Sequence, residues 1–424
     1  MEGDRLGPRL LGVAVAAGVA AGLGGAVLVL VLHGVQHLAY GFRSGTFLAG
    51  VEQAGPLRRV LALSMGGAVV GTGWWWLGRA GAERRTVAGD AQCRTVAAAV
   101  ADPAGGLPVP TTTADAVLQV AAVGVGASLG REGAPRQVGS AVAGWLARRA
   151  GLGLDTQRTL LACGAGAGLA AVYDVPLAGA AFTLEVLLVS VRVRHLVPAA
   201  LTAAIATVVA WPVVGRAPVY ALTTPDTTAT LLVGALLLGP VAGVVGLGFV
   251  RLTTAGRGPT GWRRAVGVTV VLSLLGGVAV AYPQVLGNGR GAAQLAFDGS
   301  TALPLLAVLL VVKPLVTAAC LRGGVAGGLL TPALATGALL GAVTGGWWAA
   351  LWSPSPAGAF AVIGAAAVLT ATTAAPVTAV LLTLELTGVG PGAWLPVLLA
   401  VAGADLVRRH VPRGRTGRPE RSVV

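Results

Sequence analysis

Glu132 lies in Gly130-Arg131-Glu132-Gly133-Ala134-Pro135, a charged pair set between glycines with apolar sequence on both sides. Glycines beside such a pair let backbone amides approach a bound anion without side-chain obstruction. A charge inside a membrane is expensive and commonly marks an ion or proton pathway. An ionised Glu132 can occupy an anion's place, and a protonated one can swing away, so a single carboxylate would serve as gate and proton carrier. Composition equally allows Arg131 and Glu132 to pair in a short loop at the interface. A second stretch, Gly327-Gly328-Leu329-Leu330-Thr331-Pro332, suits a helix that starts at membrane depth. Proline in a first turn needs no amide partner, and the amides of Leu329 and Leu330 would point at a ligand. Gly-rich turns recur throughout the chain, so this stretch is a weak signal by itself.

Both stretches sit in copies of one unit. Residues 164–185 and 364–385 align without a gap, at an offset of 364 − 164 = 200. They share Gly164/Gly364, Pro176/Pro376, Thr183/Thr383 and Glu185/Glu385 among other identities. Upstream, Gly130, Pro135 and Gly144 match Gly327, Pro332 and Gly341 at an offset of 327 − 130 = 197. Duplicated membrane proteins often bind substrate where the copies meet. The boundaries read as an N-terminus over 1–9, a first membrane repeat over 10–190, and a connection with a polar loop over 191–228. A second repeat follows over 229–406, then a basic tail over 407–424. Short apolar pieces at 139–147, 158–171 and 176–190 are answered by 333–350, 359–372 and 377–388, and they read as re-entrant or half-membrane helices. Such helices survive at membrane depth only when buried in protein or lining a watery cavity.

Composition sets the class. Hydrophobic residues make up 55% of the chain and charged ones 11%, with a mean hydropathy of +0.80. Ordinary soluble domains carry about 25% charged residues, so this chain cannot cover a water-facing surface. Apolar runs at 10–32, 196–214, 229–250, 265–281 and 303–319 approach or exceed the roughly 20 residues that cross a bilayer core. The expectation is an all-α polytopic membrane protein, since a membrane barrel needs strict alternation. The first run is too long for a secretory signal and reads as a membrane helix. The net charge of +14 comes from arginines at the ends of apolar runs, with Lys313 the only lysine. That pattern argues against nucleic acid and for the positive-inside rule, with both termini cytoplasmic. Cys93, Cys163 and Cys320 are too dispersed for a metal or a disulfide framework, and His33 and His37 read as an interfacial helix end. The reading calls for no cofactor and no metal. Trp groups at 74–76 and 347–348 read as interfacial anchors, and Tyr173 and Asp174 as a turn before Pro176.

The stretch GREGAPRQVGS resembles the GREGP motif of the CLC family of chloride channels and proton-coupled chloride transporters. GGLLTPALATGALLG is similar to that family's GIFAP motif, and LACGAGAGLAAVYDVPLAGAAFTLE to its following stretch. The resemblance covers about residues 10–406. It implies two inverted-topology repeats of tilted and half-membrane helices, in a homodimer with one anion pathway per subunit. It makes Glu132 the external gate and proton-transfer residue. The anion would be bound around Ala88, Gly89, Arg131, Gly133, Gly328, Leu329, Leu330 and Thr331.

Departures matter as much. The best placement of the family's GSGIP motif is Ala88-Gly89-Asp90-Ala91-Gln92, which puts Ala88 where an anion-coordinating serine belongs. The basic tail supplies no central tyrosine, and proline is displaced by one in GREGAP. Val186 stands where the family's transporters carry an internal proton-transfer glutamate. Glu185 and Glu385 read as symmetric structural residues, with Pro176 and Pro376. The implied function is transport of a small halide, chloride first, channel-like or weakly proton-coupled, in the plasma membrane. The alternatives are a fluoride/proton antiporter and, from another class, a membrane-embedded enzyme using buried carboxylates. The protein would not otherwise be an enzyme, and its partners would be halide ions, protons, lipid and a second subunit.

Overall fold

The long apolar runs become helices because a backbone removed from water must bond to itself, and a helix does so within one segment. The computed structural model describes residues 7–88, 95–222, 227–255, 258–352 and 357–411. In chain order its α-helices begin with α1 (Pro8–Tyr40), α2 (Phe47–Gln53), α3 (Pro56–Ala88), α4 (Val96–Ala101), α5 (Val109–Gly124) and α6 (Gly133–Arg149). Next come α7 (Leu154–Tyr173), α8 (Pro176–Phe182), α9 (Val193–Val214), α10 (Ala229–Thr254), α11 (Trp262–Ala281) and α12 (Arg290–Asp298). The last are α13 (Leu303–Arg322), α14 (Leu330–Leu351), α15 (Ala357–Thr373), α16 (Pro376–Thr387) and α17 (Trp394–His410). Among the described residues, 8 helices are long and apolar enough to cross a membrane. They include all five apolar runs named above, and the protein is a polytopic all-α membrane protein.

One difference from the sequence expectation concerns length. The piece expected at 333–350 is the 22-residue α14, long enough to span, whereas its counterpart α6 has 17 residues.

The chain divides into two compact units that cut across the sequence repeats. One gathers the described residues within Met1–Gly34, Thr72–Ala121 and Arg131–Ala217. The other gathers those within Val35–Gly71, Ala122–Gly130 and Pro218–Val424. In the first unit α6 lies against α7 so closely that a Cβ on Gly139 or Gly164 would run into the other's carbonyl. In the second unit Gly337 of α14 and Gly364 of α15 make the same mutual contact. Small residues at such crossings are how membrane helices gain close van der Waals packing.

The duplicated phrase reappears as duplicated geometry. Asp174 and Ala374 end α7 and α15 in the left-handed region, with φ of 57° and 56°. The next residues, Val175 and Ala375, share one non-helical conformation (φ -128°, ψ 66° and φ -135°, ψ 79°), and Pro176 and Pro376 then open α8 and α16. Both prolines sit at the first helical position, where the missing N–H costs nothing. Thr183 and Thr383 each bond back to the carbonyl four residues earlier, Gly179 at 3.0 Å and Ala379 at 2.8 Å. The copies then part. Thr183–Leu188, with Glu185 and Val186, is a π-helical turn closed by Val189 at φ 50°, whereas α16 runs on regularly to Gly388. Single π turns are often found at functional sites.

Candidate functional site

Glu132 is the residue before the first turn of α6 and is fully buried. Its side chain does not cap its own helix. Instead the Tyr173 hydroxyl donates to Glu132 Oε2 at 3.2 Å. Tyr173 is the last residue of α7, and the left-handed Asp174 turns the chain away behind it. Asp174 is anchored in turn, accepting from Trp211 Nε1 at 2.7 Å. The turn expected at Tyr173-Asp174 is therefore present, but the tyrosine does more than shape it.

Two arginines lie close to Glu132 along the chain. Arg131 reaches α7, donating to the Val172 carbonyl at 3.2 Å with its guanidinium 4.9 Å from the centre of the Tyr173 ring. Arg136 follows Glu132 by one helical turn and donates from Nε to the Glu132 carbonyl at 3.0 Å. Its guanidinium lies 5.2 Å from the centre of the Phe182 ring, and the residue is only 7% exposed. Sequence reasoning missed Arg136. The available signal was its spacing, four residues after Glu132 on a helix that buries most of its first three turns.

The second stretch is organised around a backbone exchange. Gly130 N–H donates to the Gly328 carbonyl at 2.7 Å, and Gly328 N–H donates to the Gly130 carbonyl at 2.8 Å. The amide of Gly328 is thus committed to Gly130. Leu329 precedes the first turn of α14, and Thr331 and Pro332 lie buried within that turn. Alongside, Ser128 and Thr317 share a hydroxyl contact of 3.1 Å.

Lys313 on α13 is wholly buried and donates to the carbonyls of Val285 and Gly287 at 2.8 and 2.7 Å. A Cβ on Gly289, in the left-handed region, would lie 2.9 Å from Ala335 Cβ, 3.3 Å from Lys313 Cε and 3.6 Å from the Thr331 carbonyl. The turn before α12 is therefore wedged between this lysine and the start of α14. The signal was plain, since the chain's only lysine falls inside an apolar run.

The remaining expected residues scatter. Ala88 ends α3, and Gly89 lies outside the described residues. Glu185 and Glu385 are both half-buried but in unlike settings, one in the π turn and one in α16. Val186 is half-buried beside Glu185. The exposed Trp76 and Trp347 fit interfacial anchors. Trp74 does not, being 2% exposed and donating to Asp115 Oδ1 at 2.8 Å. Asp115 also accepts from Gln119 at 2.7 Å, and Gln119 donates to Gln137 Oε1 at 2.9 Å. A tryptophan whose N–H has a buried acceptor belongs inside. Among the described residues no group of three His, Cys, Asp or Glu could hold a metal.

A profile described as "Voltage gated chloride channel" matches residues 66–409. A putative chloride channel protein, ClcB-like, of Ralstonia nicotianae is 32% identical over 312 residues, covering 70% of each chain. The H(+)/Cl(-) exchange transporter ClcA of Cronobacter sakazakii is 32% identical over 319 residues, or 68% of this chain and 64% of that one. The match therefore spans just under two thirds of that exchanger's length. Among solved structures, a slow cyanobacterial Cl-/H+ antiporter superposes with a TM-score of 0.81 at 23% identity, covering 96% of this chain and 95% of the other. A CLC-type fluoride/proton antiporter superposes with a TM-score of 0.73 at 20% identity, covering 94% and 95%. At these identities the two superpositions speak to the fold alone.

Proposed function

Because the chain belongs to the CLC family of voltage-gated chloride channels, whose members transport anions and are not enzymes, we propose that it carries chloride through a pathway gated by Glu132, channel-like or only weakly proton-coupled. The observation that carries this reading is Glu132 itself, a fully buried carboxylate at the head of α6. A buried carboxylate beside helix amides competes directly with any anion drawn to the same positive helix end. Arg131 and Gly133 flank it. Leu329, Leu330 and Thr331 at the start of α14 are the proposed ligands from the second repeat, with the committed amide of Gly328 left out. Glu185, Glu385, Pro176 and Pro376 remain structural in this reading. Weak coupling is favoured by Val186, which stands where the family's transporters carry an internal proton-transfer glutamate. Chloride is favoured by the names of the relatives at 32% identity. We further place the protein in the plasma membrane as a homodimer with both termini cytoplasmic, in line with its basic ends.

A fluoride/proton antiporter is the second reading. It is supported by the buried Thr331 at the first turn of α14, together with alanine at 88 and the missing central tyrosine.

Proteoliposomes loaded with chloride or fluoride decide between them when anion efflux and proton uptake are recorded together. Chloride efflux with little proton movement is the expected result. Selective fluoride efflux would promote the second reading, and no anion flux would refute both. Glu132→Gln should abolish any proton movement while anion flux persists. Proton flux unchanged by Glu132→Gln would remove Glu132 from the mechanism.

A further inference from the structure

The first unit contains a cation that the gating scheme does not use. Arg136 is 7% exposed, and its NH1 nitrogen has no hydrogen-bond partner. Of its five N–H donors, the one on Nε is spent on the Glu132 carbonyl. That bond turns the guanidinium back toward the N-terminal end of the 17-residue α6, where Glu132 precedes the first turn. A buried guanidinium with an unfilled nitrogen is strongly unfavourable unless an anion stands near it. The aromatic face of Phe182 at 5.2 Å is a partial partner, but it cannot fill an N–H.

We propose that Arg136 is an anion-binding residue of the transport pathway, a fixed cation that the Glu132 carboxylate and the transported halide take in turn. The proposal rests on the transport reading above and adds a ligand that the motif residues do not include. The chemistry selects the ligand class. Arg136 and the first amides of α6 are all donors, so a small monovalent inorganic anion fits, and a cation or a neutral solute does not. With Glu132 in place, its charge answers that of Arg136. When the carboxylate leaves or takes a proton, the halide supplies the missing charge. This arrangement lets an anion bind strongly with fewer hydroxyl ligands, since a charge-assisted contact is about twice as strong as a neutral one.

The test is chloride binding by isothermal titration calorimetry on purified full-length protein, with Arg136→Gln placed in two backgrounds. Arg136 assists both competitors in the native protein, so its loss weakens chloride and gate together and the effects partly cancel. In Glu132→Gln only the halide depends on Arg136. Arg136→Gln should therefore weaken chloride binding by about tenfold or more in Glu132→Gln, and by clearly less in the native background. Arg136→Lys keeps the charge without the planar fork, so it should lose clearly less affinity than Arg136→Gln. A purely structural role predicts equal losses in both backgrounds, and that result overturns the proposal. So does a loss in Arg136→Lys as large as in Arg136→Gln, a comparison that survives if one variant needs stabilising to fold. Absence of chloride binding by the native protein would bring down the transport reading as well. Sound binding by Glu132→Gln that ignores Arg136→Gln brings down this inference alone.

Discussion

Tyr173→Phe isolates the clasp on Glu132. The substitution removes one oxygen and leaves the ring, so the Arg131 guanidinium keeps its aromatic face at 4.9 Å. What is lost is the hydroxyl donated to Glu132 Oε2 at 3.2 Å. Hydrogen bonds to charged groups contribute about 1.5–3 kcal/mol. At 3.2 Å this one is longer than the usual O–H···O separation of about 2.7–2.8 Å, so the lower figure applies. About 1.4 kcal/mol corresponds to a factor of ten. Glu132 should therefore leave its place about tenfold more readily in the variant. If the carboxylate competes with the anion, the apparent chloride dissociation constant falls by up to that factor at fixed pH and salt. Calorimetric titration of native and variant protein measures it, with thermal unfolding as a check on the fold. In the Glu132→Gln background the same change should have little effect, because no charged competitor remains. Unchanged or weaker chloride binding in a well-folded Tyr173→Phe protein would refute the competition and the role assigned to the tyrosine.

Three further outcomes follow from packing and backbone geometry. Gly164→Ala and Gly364→Ala should each lower thermal stability by about 1–3 kcal/mol, because the new methyl meets backbone rather than a yielding side chain; a neutral result at both would show that the crossings can relax. Ala374→Gly should raise stability by about 1 kcal/mol, since the residue is exposed and held at φ 56°, and a loss of stability would contradict the strain. Lys313→Met should lower the unfolding temperature, because the Val285 and Gly287 carbonyls each lose a donor and a bare buried acceptor costs about 1–3 kcal/mol; an unchanged midpoint would mean that relief of the buried charge cancels the loss.

Much of the fold was legible because its signals are local. An apolar run can only be satisfied as a helix in lipid, and all five runs recognised in the sequence are helices long enough to span. The repeated phrase carried its geometry with it, down to paired left-handed residues and paired prolines 200 positions apart (374 − 174 and 376 − 176). The site was legible only in part. Glu132 stood out because a carboxylate between glycines in apolar sequence is rare and costly. Tyr173 read as a turn residue because nothing in its own neighbourhood shows that the end of α7 faces the head of α6. Arg59 is a parallel case. It is one of the arginines at the end of an apolar run, yet its guanidinium donates to carbonyls of Val51, Glu52 and Ala279, closing the ends of α2 and α11.

Composition, periodicity and the internal duplication therefore determined by themselves that this is a two-repeat helical membrane protein with a carboxylate at its most specific motif. Those properties depend on each segment's own side chains and on the demand that its backbone bond to itself. Tertiary structure alone decided what surrounds that carboxylate: a hydroxyl from 41 residues away, and a guanidinium one turn along with an unfilled donor against Phe182. It also decided that the same phrase ends in a π turn in one copy and a regular helix in the other. These are outcomes of which surfaces pack together, and helix packing is set by contacts between residues far apart in the chain.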